Sequence, residues 1–143
     1  EGYRFIQEEI ILRLFAFHDS YEKYTGRLAK FLNDYMSDHR NPDDNFLTNR
    51  RRLFDRTIDV VYQSIFEGKT PRKLRTSILE AILVGVSFNL KFVESQSTSS
   101  IKAMYDKLLA QEEFSDKKLR EGLSGKERVI GRMGAAKRVF SGQ

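Results

Sequence analysis

Basic residues are the side chains in this sequence whose types and spacing best suit chemistry with a partner. They form three clusters: Arg50, Arg51, Arg52 and Arg56; Lys69, Arg72, Lys73 and Arg75; and Lys126, Arg128, Arg132, Lys137 and Arg138. With Asp55 and Glu127 counted against them, the clusters carry +3, +4 and +4, whereas the whole chain carries +5. Positive charge concentrated in clusters can bind the phosphates along a nucleic-acid backbone. The other interpretation is that the clusters are solvated faces that point in different directions.

The remaining polar residues do not form a catalytic or metal-binding pattern. His18 and His39 stand beside polar residues at predicted helix ends, and neither has a second ligand three or four residues further on in the same predicted helix, so we interpret both as surface or capping residues. Gly68 begins a Gly-Lys-Thr sequence, but Gln63 occupies the place of the earlier glycine that a phosphate-binding loop needs. The chain has no Cys, which excludes disulfides and thiolate chemistry. We therefore predict no catalytic centre, metal site or cofactor.

Size and hydropathy indicate one domain that does not cross a membrane. A chain of 143 residues has the length of one ordinary domain. Its longest span without a charged residue, 81–90, covers ten residues, about half of what a membrane-spanning helix requires. We expect a cytoplasmic location. Because the chain begins at Glu1 and enters a predicted helix almost at once, we also expect residues 1–143 to be part of a longer protein.

Apolar residues recur at helical intervals along the whole chain, whereas the alternation typical of strands is absent. Helices are predicted at 4–17, 21–36 and 46–66. After a polar loop at 95–100, a further helix is predicted through Met104, Leu108 and Leu109, and a short helical turn near 114–119. A final helix is predicted behind a capping box of Ser124 and Glu127. The most apolar stretch, about 76–94, is predicted to be the central helix, with Gly85 at a close helix crossing. The prediction is a single all-α domain of six or seven helices around that segment.

The first predicted helix carries a candidate structural ion pair. Glu9 and Arg13 stand four residues apart, in the order that favours pairing on a helix. Both project from a largely apolar surface, and partly buried charges persist when they are paired. We expect a structural role for this pair rather than a role in chemistry.

The segment from Glu9 to Phe17, together with Tyr24 and the series Leu28, Phe31-Leu32-Asn33 and Tyr35-Met36, resembles the helical C-terminal half of the GmrSD-like family. Looser similarity covers 72–83 and 123–132. In that family a ParB/sulfiredoxin-like nuclease or NTPase domain precedes the helical region, and members are associated with prokaryotic defence, including restriction of modified DNA. The catalytic Asp-Gly-Gln-Gln-Arg type motif is absent from this sequence, as is any His-Asn-His arrangement, so no catalytic residue carries over.

The resemblance implies a non-catalytic accessory domain. It would support an N-terminal nuclease or NTPase domain and add basic surface for DNA. The alternative is a helical protein-interaction or homodimerisation module without nucleic-acid binding, which the wide apolar faces of the first and central helices also fit. An independent enzyme is the weakest interpretation, because no set of polar residues converges.

Overall fold

The computed structural model describes residues 7–143, in which seven α-helices and no strand are found. The helices are α1 (Glu8–Ser20), α2 (Leu28–Asp38), α3 (Asp44–Val60), α4 (Thr76–Phe88), α5 (Leu90–Glu94), α6 (Thr98–Leu109) and α7 (Lys126–Val139). Short 3₁₀ turns span Tyr21–Lys23 and Glu112–Phe114. The prediction of an all-α domain with six or seven helices is confirmed. Residues 4–6 of the first predicted helix lie outside the described residues.

Helix α4 is the centre of the fold, because ten of its 13 residues are buried. It packs mainly against α7 and α1, and also against α3. Gly85 permits the tightest approach, since a Cβ atom added there would lie 2.7 Å from the Cβ of Ala136 on α7. The predicted central segment is therefore confirmed, but Asn89 divides it into α4 and α5. The Asn89 side chain donates hydrogen bonds to the carbonyls of Gly85 and Lys137, at 3.0 and 2.9 Å.

The connection between α1 and α2 differs from the prediction. We expected the first helix to end at Phe17 and the second to begin at Tyr21, whereas α1 continues to Ser20 and α2 begins only at Leu28. Between them Gly26 has a φ of +97°, which favours glycine over other residues. Tyr24 is fully buried and its hydroxyl donates a hydrogen bond to the carbonyl of Ser124. This segment therefore anchors the chain start to the loop before α7.

Helix α3 begins and ends with distinctive local structure. Its N-cap is Asp43, whose carboxylate accepts a hydrogen bond from the Phe46 amide at 2.7 Å. At its other end the helix widens into a π turn over Val61–Ile65. The Ile65 carbonyl there accepts a hydrogen bond from Lys102 Nζ of α6 at 2.8 Å, which satisfies a group that the helix end leaves open.

Helix α7 lacks the predicted capping box. Gly125 is its N-cap, and no side chain caps the helix. Ser124 lies one residue too early, and its carbonyl instead accepts the Tyr24 hydroxyl. The first amides of α7 are thus left without a side-chain partner.

Candidate nucleic-acid interface

The first basic cluster, on α3, is half neutralised by nearby acids. Arg50 donates to Asp19 of α1 at 2.5 Å, and its guanidinium stacks over the Phe46 ring at 4.7 Å. Arg56 pairs with Glu94 of α5, with Nε 3.0 Å from a carboxylate oxygen. The hydrogen bonds from Arg56 lower the pKa of the Glu94 carboxyl. The other two members, Arg51 and Arg52, are exposed and have no partner among residues 7–143.

The third cluster does not form one surface. Arg132 is only 3% exposed, so it cannot meet a phosphate at the protein surface, and its prediction as a nucleic-acid contact is wrong. Its place on α7 faces the central helix. Lys137 lies over the Phe88 ring at 4.7 Å, and Arg138 donates to Gln111 at 3.3 Å. The cluster is split because helical positions 126–138 point to every side of α7.

The second cluster is joined by a basic segment that sequence reasoning missed. Arg75 Nη1 donates a hydrogen bond to the carbonyl of Leu119 at 3.1 Å. This contact places Arg75, at the end of the segment 69–75 with its four cations and no acid, beside Leu119 of the segment 117–120, which holds three cations between Asp116 and Glu121. The two segments are 44 residues apart along the chain, so no sequence spacing could have linked them. The cations of the second segment are Lys117, Lys118 and Arg120.

A cavity of about 770 Å³ extends this positive region to the start of α7. Lys118 lines it together with Lys126 and Arg128, while Glu113 and Glu127 are the acids in its wall. Three residues of the wall are glycines, which carry no side chain. The first amides of α7, which have no side-chain cap, lie at this end of the cavity, and such amides favour an anion. Acidic side chains offset part of this positive charge, since Lys118 also pairs with Glu112 at 3.4 Å.

We call the cations of these segments the basic surface. It consists of Lys69, Arg72, Lys73, Arg75, Lys117, Lys118, Arg120, Lys126 and Arg128. The structure thus links Arg75 of the second cluster with 117–120, and brings Lys118 to the same cavity as Lys126 and Arg128 of the third cluster. Arg52 stands 13 residues before the end of the π turn at Ile65, which is about 20 Å along a helix.

A second group of charges lies inside the fold, around Glu80 of α4. Arg13 donates to Glu80 at 3.1 Å and to Glu9 at 2.8 Å, so the Glu9–Arg13 contact is one half of a three-residue bridge. Glu80 is 3% exposed; burial raises the pKa of its carboxyl, and Arg13 opposes that rise. Sequence reasoning missed Glu80, because it is surrounded by apolar residues in the most hydrophobic helix.

Arg132 is the third buried member of this charge group. It donates to the Leu123 carbonyl at 2.7 Å, while its Nε and Nη1 atoms have no partner in the described part of the chain. Burial lowers the pKa of this guanidinium, and Glu80 opposes the change. A cavity of about 310 Å³ adjoins Arg13, Glu80 and Arg132.

The two histidines make contacts within the fold. His18 Nδ1 lies 2.8 Å from Ser87 Oγ, and that hydroxyl donates to the carbonyl of Val84 at 2.7 Å. His18 therefore donates to Ser87 and does not act as its base. Burial lowers the pKa of His18. His39 Nδ1 lies 2.9 Å from the carbonyl of Tyr35. Over residues 7–143, no three metal-ligating side chains gather at one point.

Comparison with known proteins gives no relative: no family model, no curated protein and no solved structure matches the chain. Of the helices in the described region, none is long and apolar enough to span a membrane.

Proposed function

We propose that this chain is the non-catalytic accessory helical domain of a GmrSD-like, DNA-acting defence protein, and that its basic surface binds the DNA backbone. The observation that carries the proposal is the hydrogen bond from Arg75 to the Leu119 carbonyl at 3.1 Å. This bond brings Arg75 against the segment that holds Lys117, Lys118 and Arg120. Lys69, Arg72 and Lys73 are exposed and have no partner within 7–143, so they remain available to phosphates.

The chemistry expected of such a surface is electrostatic and independent of base sequence. Lysine and arginine side chains neutralise phosphates and release counterions, so affinity falls steeply as salt rises. Phosphate contacts position a protein on DNA but carry no direct sequence information. An accessory domain with this surface would hold DNA for a nuclease or NTPase domain that supplies the specificity and the chemistry.

Charge reversal on the basic surface tests the proposal. The variant Arg72→Glu/Lys73→Glu should weaken binding to a 20-base-pair duplex more than tenfold, as measured by fluorescence anisotropy. The slope of log affinity against log salt should fall by about two, since each lost phosphate contact removes about 0.9. The matched control is Arg51→Glu/Arg52→Glu, which makes the same charge change at two exposed, unpaired arginines of α3.

Two results would remove the DNA role. One is absence of binding by the unmodified chain at low salt. The other is an equal loss in both variants, because that would reflect net charge rather than this surface. The parentage is tested separately by reading the gene upstream of the Glu1 codon: a ParB-like domain there supports the proposal, and an unrelated domain overturns it.

A second candidate function is a protein-interaction or homodimerisation module. The observation in its favour is a groove of about 510 Å³ between α1 and α2, lined by Leu12, Ala29, Leu32 and Met36. Met36 is 49% exposed, which is unusual for a large apolar side chain in a groove. Sedimentation at micromolar concentration should then show a dimer that Met36→Asp dissociates, and a strictly monomeric chain would exclude the dimer.

A further inference from the structure

The cavity beside the buried charge group has the composition of a small-molecule site. It measures about 310 Å³, at the lower end of the range for ligand pockets. Phe17, Leu28 and Val129 form part of an apolar wall, and Glu80 and Arg132 are charged residues in the same lining. Apolar walls with a few convergent polar groups are typical of sites that bind and orient one ligand.

The charged groups that line this cavity are not paired evenly. Glu80 and Arg132 are each 3% exposed, and the Arg13 side chain is 18% exposed. Both carboxylates of the lining, Glu80 and the 62% exposed Glu9, bond to Arg13. Neither bonds to Arg132, which Glu80 affects only through its charge. Because buried charges are normally paired, Arg132 lacks a bonded negative partner.

The hydrogen bonds of Arg132 indicate the same missing group. One nitrogen donates to the Leu123 carbonyl, and two other nitrogens, Nε and Nη1, have no partner in the described part of the chain. Both are enclosed by protein, so binding of a ligand at these atoms requires the guanidinium to turn towards the cavity. The first turn of α4, at Thr76 and Ser77, also lines the cavity and has no side-chain cap. Its positive end favours an anion nearby.

We infer that this cavity binds a small monocarboxylic acid with an apolar body, whose carboxylate pairs with Arg132. The ligand carboxylate supplies the missing negative charge, and its apolar part lies against Phe17, Leu28 and Val129. One negative charge is enough, because Arg13 is already held by Glu80 and Glu9. A phosphate group would bring up to two charges next to the Glu80 carboxylate and would be repelled. This site is independent of the basic surface.

The test uses octanoate as the probe and octanamide as its neutral counterpart, titrated into the ¹⁵N-labelled full chain. Octanoate should shift the Arg132 Nε–H signal and bind at least tenfold more tightly than octanamide. That signal is assigned by its disappearance in Arg132→Met, which should also weaken octanoate binding at least tenfold. Arg128→Met is the matched control, since Arg128 stands one turn earlier on α7 and lines the other cavity.

Equal affinity for octanoate and octanamide, or no shift of the Arg132 Nε–H signal at millimolar octanoate, overturns the inference. Equal loss of binding in the Arg132 and Arg128 variants does so too. If Arg132→Met does not fold, Arg132→Lys keeps a charge at the site, and the octanoate-to-octanamide ratio on the unmodified chain still decides the question.

Discussion

Replacing Gly85 with Ala should destabilise the protein, although alanine is the better helix former. The added Cβ would lie 2.7 Å from the Cβ of Ala136 and 2.9 Å from its carbonyl carbon and oxygen. Ordinary contacts between carbon atoms are about 3.5–4.0 Å, so the overlap is close to an ångström. Two of the three obstructing atoms belong to the backbone of α7, and they move only if the two helices separate.

The size of the effect follows from two opposing terms. Alanine favours a helix over glycine by about 1 kcal/mol, whereas overpacking a close-packed core costs about 1–3 kcal/mol. Because backbone obstructs this site, we take the upper end, which leaves a net loss of about 2 kcal/mol in the free energy of unfolding. The companion change Ala136→Gly should restore less than half of it, since the carbonyl atoms at 2.9 Å remain.

Urea denaturation followed by circular dichroism measures the change, and an unaltered m value would confirm that stability alone has shifted. The matched control is Gly134→Ala on α7, where nothing lies within 4 Å of an added Cβ. That variant should gain about 0.5–1 kcal/mol from helix propensity. The packing argument is refuted if Gly85→Ala is as stable as the unmodified protein, or if the two glycine replacements have the same sign.

Three further predictions concern polar groups. Asp43→Ala should lower the unfolding free energy by about 1 kcal/mol through loss of the α3 N-cap, whereas Asp44→Ala should have a smaller effect in the same urea titration. Because burial raises the pKa of the Glu80 carboxyl from 4.5, the unmodified protein should lose stability relative to a Glu80→Gln variant as pH rises above 4.5; a gain of stability relative to that variant over the same pH range would contradict the sign. Arg56→Gln should move the pKa of Glu94 back up towards 4.5 in a ¹³C-detected titration, because the guanidinium lowers it; an unchanged pKa would rule out that pair in solution.

The apolar periodicity was sufficient to predict the helices that form the core. The α4 pattern predicted both its central place and the close approach at Gly85, because a glycine amid large apolar residues leaves room for a neighbouring helix. The points at which the helices end were harder to predict from the sequence. Tyr24 has the spacing of a helix face, yet its hydroxyl bonds to a distant carbonyl, and Asn89 ends α4 through contacts that depend on α7.

The candidate sites depend on tertiary contacts that the sequence does not encode locally. Arg132 belongs by spacing to a basic cluster, but its face of α7 turns inward towards α4. The segment 117–120 became a candidate part of the basic surface only through its contact with Arg75. Glu80 is a single acid in an apolar run, and only the fold shows that Arg13 reaches it from α1. The pattern of residues within one helix does not show which side chains pair with those of another helix.

The π turn at the end of α3 is followed by the basic loop 69–75, and the contacts at the two ends of this loop affect how it would bind a ligand. Lys102 of α6 holds the Ile65 carbonyl at 2.8 Å and the Glu67 carboxylate at 3.3 Å, immediately before the loop. At the far end Arg75 holds the Leu119 carbonyl at 3.1 Å. Fixing both ends of a loop lowers its conformational entropy before any partner binds. On the proposal that this loop binds DNA, the association rate should depend on electrostatic steering rather than on loop closure.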